Sequence, residues 1–248
     1  MRTYRLALVL RSVAIILFSF AIVSCGSGSG KATVSFPNGA AEGSQELRLV
    51  FEDNFGGPIG AARRDSRAAL PTTNWRVETG YGDNGWGNEE WQNYTNSTDN
   101  LYLENGALVI SAQCSTGDSC SDAGVNKRTG AITSARINTK EKLNVRYGSV
   151  SARIKMPSGA GTWPAFWMLG ADIDDLRWPD AGEIDIVEMH YKYSDNKTTH
   201  FTTHWSAPNY ADGVTPPSCS GLIPGVKEGE QQHCMTATKT FDTPLTDD

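Results

Sequence analysis

From Gln45 onward, apolar and polar residues alternate in short runs separated by breaks rich in Gly, Pro and Asn. Leu47, Leu49 and Phe51 take every second position before the chain enters a loop at Gly56-Gly57-Pro58. A period of two belongs to a strand with one face covered. Leu101 to Glu104 and Ala107 to Ile110 flank Asn105-Gly106, a pair that takes the positive φ values of a tight turn, which predicts a hairpin. Val150, Ala152, Ile154 and Met156 alternate along 147–156, and 198–205 predicts a further strand. No convincing amphipathic helix or internal repeat interrupts this pattern. Many short strands joined by Gly/Pro-rich turns indicate an all-β sandwich or barrel, read here as one domain over 45–248.

One strand breaks the pattern. Gly182-Glu183-Ile184-Asp185-Ile186-Val187-Glu188-Met189-His190 places three carboxylates inside an apolar, β-branched run, where burying them is costly. Glu183 and Asp185, two apart, share a face. Glu188 is out of phase unless a β-bulge takes up one residue of Ile186-Val187, and bulges are over-represented beside active sites. This predicts that Glu183, Asp185 and Glu188 line one concave face. Alternation alone also fits an edge strand with its acids in solvent.

Such a set suits glycosidic bond cleavage. Two carboxyls about 5–5.5 Å apart allow a retaining double displacement, one attacking the anomeric carbon and the other protonating the leaving oxygen. A third carboxylate between them helps separate the two pKa values. Gly182 to Glu188 resembles the active-site strand of glycoside hydrolase family 16 in the bulged form of its laminarinase-like endo-β-1,3-glucanases; the unbulged form of its lichenases has one residue fewer. The resemblance covers 45–248 and implies a β-jelly roll of two curved antiparallel sheets with a concave cleft. By it, Glu183 is the nucleophile, Asp185 its helper and Glu188 the general acid/base.

Seven tryptophans, Trp75, Trp86, Trp91, Trp163, Trp167, Trp178 and Trp205, offer flat faces for stacking on sugar rings, although a lone Trp in a sandwich is more often core. Gly161 to Leu169 resembles the family's strand beside the catalytic one, where tryptophans floor the cleft. Trp163 and Trp167, four apart on a strand, would share a face. Trp178 is a third substrate-binding candidate through its loop. Gly87-Asn88-Glu89-Glu90-Trp91-Gln92-Asn93-Tyr94-Thr95 resembles a second signature of the family, matching at Asn88, Glu90 and Gln92 and departing at Glu89, Trp91 and Asn93. Asn88 and Glu90 are therefore substrate-binding candidates, with a solvated loop as the alternative. His200 and His204 lie four apart, but a strand lacks the helical geometry of a metal pair. By resemblance His204 reaches the cleft to hydrogen-bond sugar or the acid/base; His190 reads as structural or as lying on the exit of the strand. No nucleophile elbow supports a Ser-His-Asp hydrolase.

Residues 1–24 carry Arg2, Arg5 and Arg11, no acid and an apolar core, the layout of a secretory signal peptide. They end in Ile22-Val23-Ser24-Cys25, which looks like a bacterial lipobox, so Cys25 is the candidate lipidation site and 25–44 a flexible Gly/Ser-containing linker. An exported, lipid-anchored protein at a bacterial outer membrane or cell surface is expected, in a compartment that permits disulfides. Cys114 with Cys120 and Cys219 with Cys234 are favoured by proximity, the other pairings remaining open. Loss of the leader takes the formal charge from −6 to −9, with 19 basic against 28 acidic residues. That makes the chain a poor candidate for nucleic acid and favours a neutral polysaccharide. The expected product is a monomeric β-1,3- or mixed-linkage β-1,3/1,4-glucanase needing no cofactor for its chemistry. A galactan-active relative of agarase or carrageenase type and a non-catalytic β-glucan-binding protein are the rivals. Similar proteins continue for several strands past the position of Asp248, so the resemblance implies a domain incomplete at its C-terminal end, with a structural calcium near Glu52.

Overall fold

The structure is a computed structural model that describes residues 5–17, 22–23, 34–35, 48–56, 67–115, 128–159, 161–190, 196–205 and 234–246. These residues are almost wholly β. The strands are β1 (Arg5–Leu17), β2 (Ile22–Val23), β3 (Val34–Ser35), β4 (Arg48–Asp53), β5 (Arg76–Glu78), β6 (Asn93–Tyr94), β7 (Leu101–Glu104), β8 (Ala107–Cys114), β9 (Ile132–Ser134), β10 (Arg136–Asn138), β11 (Ser149–Lys155), β12 (Ala165–Leu169), β13 (Glu183–Glu188), β14 (Thr198–His204) and β15 (Cys234–Thr240). Among the described residues the helical elements are α1 (Ile173–Leu176) and a π-type turn at Gly85–Glu89. No described helix is long and apolar enough to cross a membrane. The chain divides into two units, 1–154 and 155–248.

In the first unit the main sheet runs β11-β1-β8-β9-β6, with β4 also paired to β1 and β7 to β8. The hairpin expected at Asn105-Gly106 forms, both residues adopting positive φ (54° and 69°) between β7 and β8. Its Leu101, Tyr102, Leu108 and Val109 are buried, Leu108 completely. Along β11, Ser151 and Arg153 face outward and Val150, Ala152 and Ile154 are half-buried, as the alternation predicts. Along β4 the alternation is only partly used. Phe51 meets the edge of Trp75, and the buried Phe55 packs beside the same ring, whereas Leu49 stays exposed. Trp75 is core, donating its Nε1–H to Asp53 Oδ2 at 2.8 Å.

The apolar run read as an export leader is here the long strand β1. It pairs antiparallel with β8 from Arg5↔Gln113 to Leu10↔Leu108 and with β4 from Val13↔Asp53 to Leu17↔Arg48. An apolar run of this kind does not by itself distinguish strand from helix. Cys25, Cys120 and Cys219 lie outside the described residues, and with them the lipidation and the disulfide pairings.

The second unit is an antiparallel sheet, β12-β13-β14-β15. Threonine hydroxyls tie β14 to β15: Thr198 to Thr240 and Thr202 to Thr236, each at 3.1 Å. The β12–β13 connection closes through Gly170 N–H donating to Gly182 O at 2.9 Å. Only glycine fits at 170, since a Cβ there would stand 1.9 Å from the Ala181 carbonyl oxygen.

Truncating the completely buried Leu108 removes side-chain contacts and leaves a cavity. Leu108→Ala is expected to cost about 2–5 kcal/mol of unfolding free energy, measured by urea titration. A loss below about 1 kcal/mol would show that the β7–β8 hairpin is not closed core.

Candidate active site

β13 is apolar enough to be held between two neighbours, yet it carries three acids. Its pairing shows how. Against β12 the register runs Leu169↔Glu183 and Trp167↔Asp185, then shifts so that Phe166 faces Val187 and Ala165 faces Glu188; Ile186 has no partner. Against β14 it runs Glu183↔His204 and Asp185↔Thr202, then shifts to Glu188↔His200, leaving Ile186 and Val187 opposite Phe201 alone. This is the bulge expected at Ile186-Val187. It adds one residue and resets the alternation, so that Glu188 joins Glu183 and Asp185. Ile184, on the other face, is exposed.

The three acids differ in surroundings. Asp185 is the most deeply set, its side chain 4% exposed. Glu183 is pushed up from 4.5 to about 7, chiefly by burial, then by the like charge of Asp185, with His204 pulling the other way. Glu188 is also raised, again first by burial and then by Asp185, while the hydrogen bond from Trp163 acts against the rise. His204 is raised by its contact with Asp185, which outweighs the opposing effect of burial, and further by Glu183. Its Nε2 faces Asp185 Oδ2 at 3.4 Å and Glu183 Oε1 at 3.7 Å. Burial and Asp185 thus raise both glutamates while the carboxylates raise the facing imidazole, a set of mutually dependent groups suited to proton transfer.

Aromatic groups frame the acids. Trp163 donates Nε1–H to Glu188 Oε1 at 2.9 Å. Trp163 is not on β12, as its spacing from Trp167 suggested: the strand begins at Ala165, and a register shift between Phe166 and Trp167 breaks strict alternation. The loop before β12, not strand geometry, brings Trp163 to the acids. Trp167 lies directly across from Asp185 and is half-buried. Trp178 comes from the β12–β13 connection, packs its ring 5.5 Å from that of His204 and leaves nearly half its surface exposed. Glu183, Asp185, Glu188, Trp163, Trp167, Trp178 and His204 are thus gathered in the second unit.

Two supporting residues escaped the sequence reading of the site. Thr202, buried opposite Asp185, lies two positions before His204 and so on the same strand face, a relation that could have flagged it. His190, read as structural or at the strand exit, meets Trp163 edge to face with ring centroids 4.7 Å apart and backs the tryptophan that holds Glu188.

The upstream signature lies in the first unit. Glu90 is committed locally: its Oε2 accepts hydrogen bonds from Tyr94 Oη–H at 2.7 Å and from Gln92 Nε2. Burial and the Glu90 charge raise the Tyr94 phenol. Asn88 is exposed on the π-type turn. Glu52 is exposed on β4.

Comparison with known proteins finds similar chains and similar folds. The family model described as "XgeA-like, catalytic GH16 domain" matches residues 75–239. The glucan endo-1,3-beta-glucosidase A1 of Niallia circulans is 38% identical over 175 residues, 67% of this chain and 24% of that protein. The chain therefore spans about a quarter of that relative's length. Among solved structures, the endo-β-1,3-glucanase of Pyrococcus furiosus superposes with a TM-score of 0.54 at 32% identity, covering 81% of this chain and 64% of that one. The laminarinase of Flavobacterium sp. UMI-01 gives 0.54 at 33% identity, covering 81% and 67%. The fold is the β-jelly roll of these neighbours.

The Trp163 bond favours the ionised form of Glu188, so its loss moves Glu188 toward the neutral form. In Trp163→Phe the Glu188 carboxyl should take up its proton at a higher pH than in the parent. Carboxyl ¹³C NMR on glutamate-labelled protein reads this, with Glu188→Gln identifying the resonance. An unchanged midpoint would remove Trp163 from the control of that group.

Proposed function

The chain belongs to glycoside hydrolase family 16, and on that premise we propose that it is an endo-acting glycosidase that cuts neutral β-1,3- or mixed-linkage β-1,3/1,4-glucan with retention of configuration. The observation that carries this reading is the bulged strand β13, which sets Glu183, Asp185 and Glu188 on one face beside Trp163, Trp167 and Trp178. Support for the glucan comes from relatives whose names are glucan endo-1,3-beta-glucosidase and laminarinase.

Glu183 attacks the anomeric carbon while Glu188 protonates the departing oxygen. The resulting glycosyl ester on Glu183 is cleaved by a water that Glu188, now ionised, deprotonates. Burial and the Asp185 charge raise Glu188, which favours the protonated form that the first step requires. Glu183 must be ionised to attack, and the group that favours this against burial and Asp185 is the His204 cation. Asp185, placed two residues along the same face, steadies Glu183 and supplies the like charge that spreads the titrations of the set. Trp178 and Trp163, each exposed over nearly half its surface, offer faces on which pyranose rings stack.

We further read the protein as exported and held to a bacterial membrane by a lipid on Cys25, as a monomer, with local disulfides in its loops. The lipobox-like Ile22-Val23-Ser24-Cys25 and the Gly/Ser-containing stretch after it support this.

Reducing-end release from laminarin, lichenan, agarose and κ-carrageenan tests the substrate. Laminarin is expected to be cut best, and Glu183→Gln to lower turnover by about 10⁴-fold or more while the fold is kept. Glu188→Ala should slow poor leaving groups most and be partly rescued by azide. Undiminished activity in Glu183→Gln would end the nucleophile assignment. Release only from a galactan would overturn the glucan, and silence on all four from folded protein would turn the reading toward a glucan-binding protein.

A further inference from the structure

Glu183, Asp185 and His204 each offer one ligand atom, and these atoms lie within 4.8 Å of one another; no other such group of three occurs among the described residues. The cluster contains a demand that is only partly answered. Asp185 Oδ2 is enclosed, makes no hydrogen bond of good geometry and has His204 Nε2 facing it at 3.4 Å. A buried oxygen left in this state is destabilising, and a cation seated between the three groups would satisfy it. The same cation would relieve the repulsion between two carboxylates fixed on neighbouring positions of one strand face.

The donor set selects the ion. One imidazole nitrogen and two carboxylate oxygens match borderline dications such as Zn²⁺, which accept mixed nitrogen and oxygen ligands. Ca²⁺ needs six to eight oxygens and Mg²⁺ a near-octahedral oxygen shell, so both are poorly served. Three protein ligands leave coordination positions for water. The site is also reachable, since the side chains of Glu183 and His204 keep 18% and 19% of their surface exposed.

We propose that Zn²⁺, as the representative transition-metal dication, binds to Glu183, Asp185 and His204 Nε2 and switches the enzyme off reversibly. The binding stands on the geometry alone; the inhibition rests on the hydrolase reading above. A bound ion takes the Glu183 oxygen that would attack the sugar, so its lone pair is engaged and the bond to the anomeric carbon cannot form. Glu188 takes no part, being held separately by Trp163. Inhibition is therefore competitive with glucan and is undone when a chelator withdraws the ion.

Calorimetric titration of the full chain with zinc chloride, after chelator treatment, should give one zinc per chain. His204→Gln and Asp185→Asn should each weaken binding by more than the roughly 10- to 100-fold that loss of an outer-shell partner costs. His200→Gln, outside the cluster, should bind as the parent does. Thermal melts confirm that each variant is folded, so if Asp185→Asn does not fold, His204→Gln decides. In laminarin assays, zinc should raise the apparent KM with kcat unchanged, and EDTA should restore the original value. No saturable zinc binding by folded parent, or binding that survives His204→Gln, overturns the proposal. Zinc binding lost in His204→Gln, in a chain that hydrolyses no glucan, supports the metal site and removes the hydrolase reading instead.

Discussion

The interaction on which the rest of the site depends is the burial of Asp185 in the middle of a strand. A carboxylate taken out of water needs a compensating partner, and on this strand the cross-strand neighbours are Trp167 and Thr202, neither of them cationic. Part of the compensation comes from the next position along, where His204 turns Nε2 toward it at 3.4 Å. Asp185 also raises the two glutamates on either side of it. Removing its charge would therefore change three other groups at once, which makes the four a single electrostatic unit.

That unit is fixed by main-chain pairing and not by long side chains reaching across solvent. Each acid lies on a strand with a hydrogen-bonded neighbour on both sides, and β14 is itself tied to β15 through paired threonine hydroxyls. Groups held this way lose little freedom when a ligand arrives. The aromatic frame is softer. Trp163 and Trp178 come from loops and remain substantially exposed, which suits surfaces that meet sugars of varying conformation.

Much of this was legible in the residues, for physical reasons. Asn105-Gly106 could be read because its turn type depends on two adjacent residues, and the acid face because a period of two leaves Glu188 only one way to join Glu183 and Asp185. The Trp163–Trp167 pairing was misjudged in its cause. A spacing of four means a shared face only inside an unbroken strand, and where β12 begins and shifts is set by its partner, which a local pattern does not contain. Glu90 shows the same limit: its match to a motif was visible, its commitment to Tyr94 and Gln92 was not. The apolar run at 5–17 reads as a leader by composition and pairs here as a strand, because hydrophobic content alone suits either environment.

The bulge at Ile186-Val187 separates distance along the chain from position on the face. Elsewhere in β13, gaining or losing one residue would turn every later side chain to the opposite side of the sheet. At this pair the extra residue is already unmatched, so deleting it would leave a strictly alternating Glu-Ile-Asp-Ile-Glu run with all three acids still together. β13 thus has one point at which its length can vary by a single residue without scattering its charges. What such a change would alter is the local twist, and with it the angle at which the last glutamate meets a sugar chain. Length variation at this point is a route by which linkage preference can drift while the chemistry stays in place.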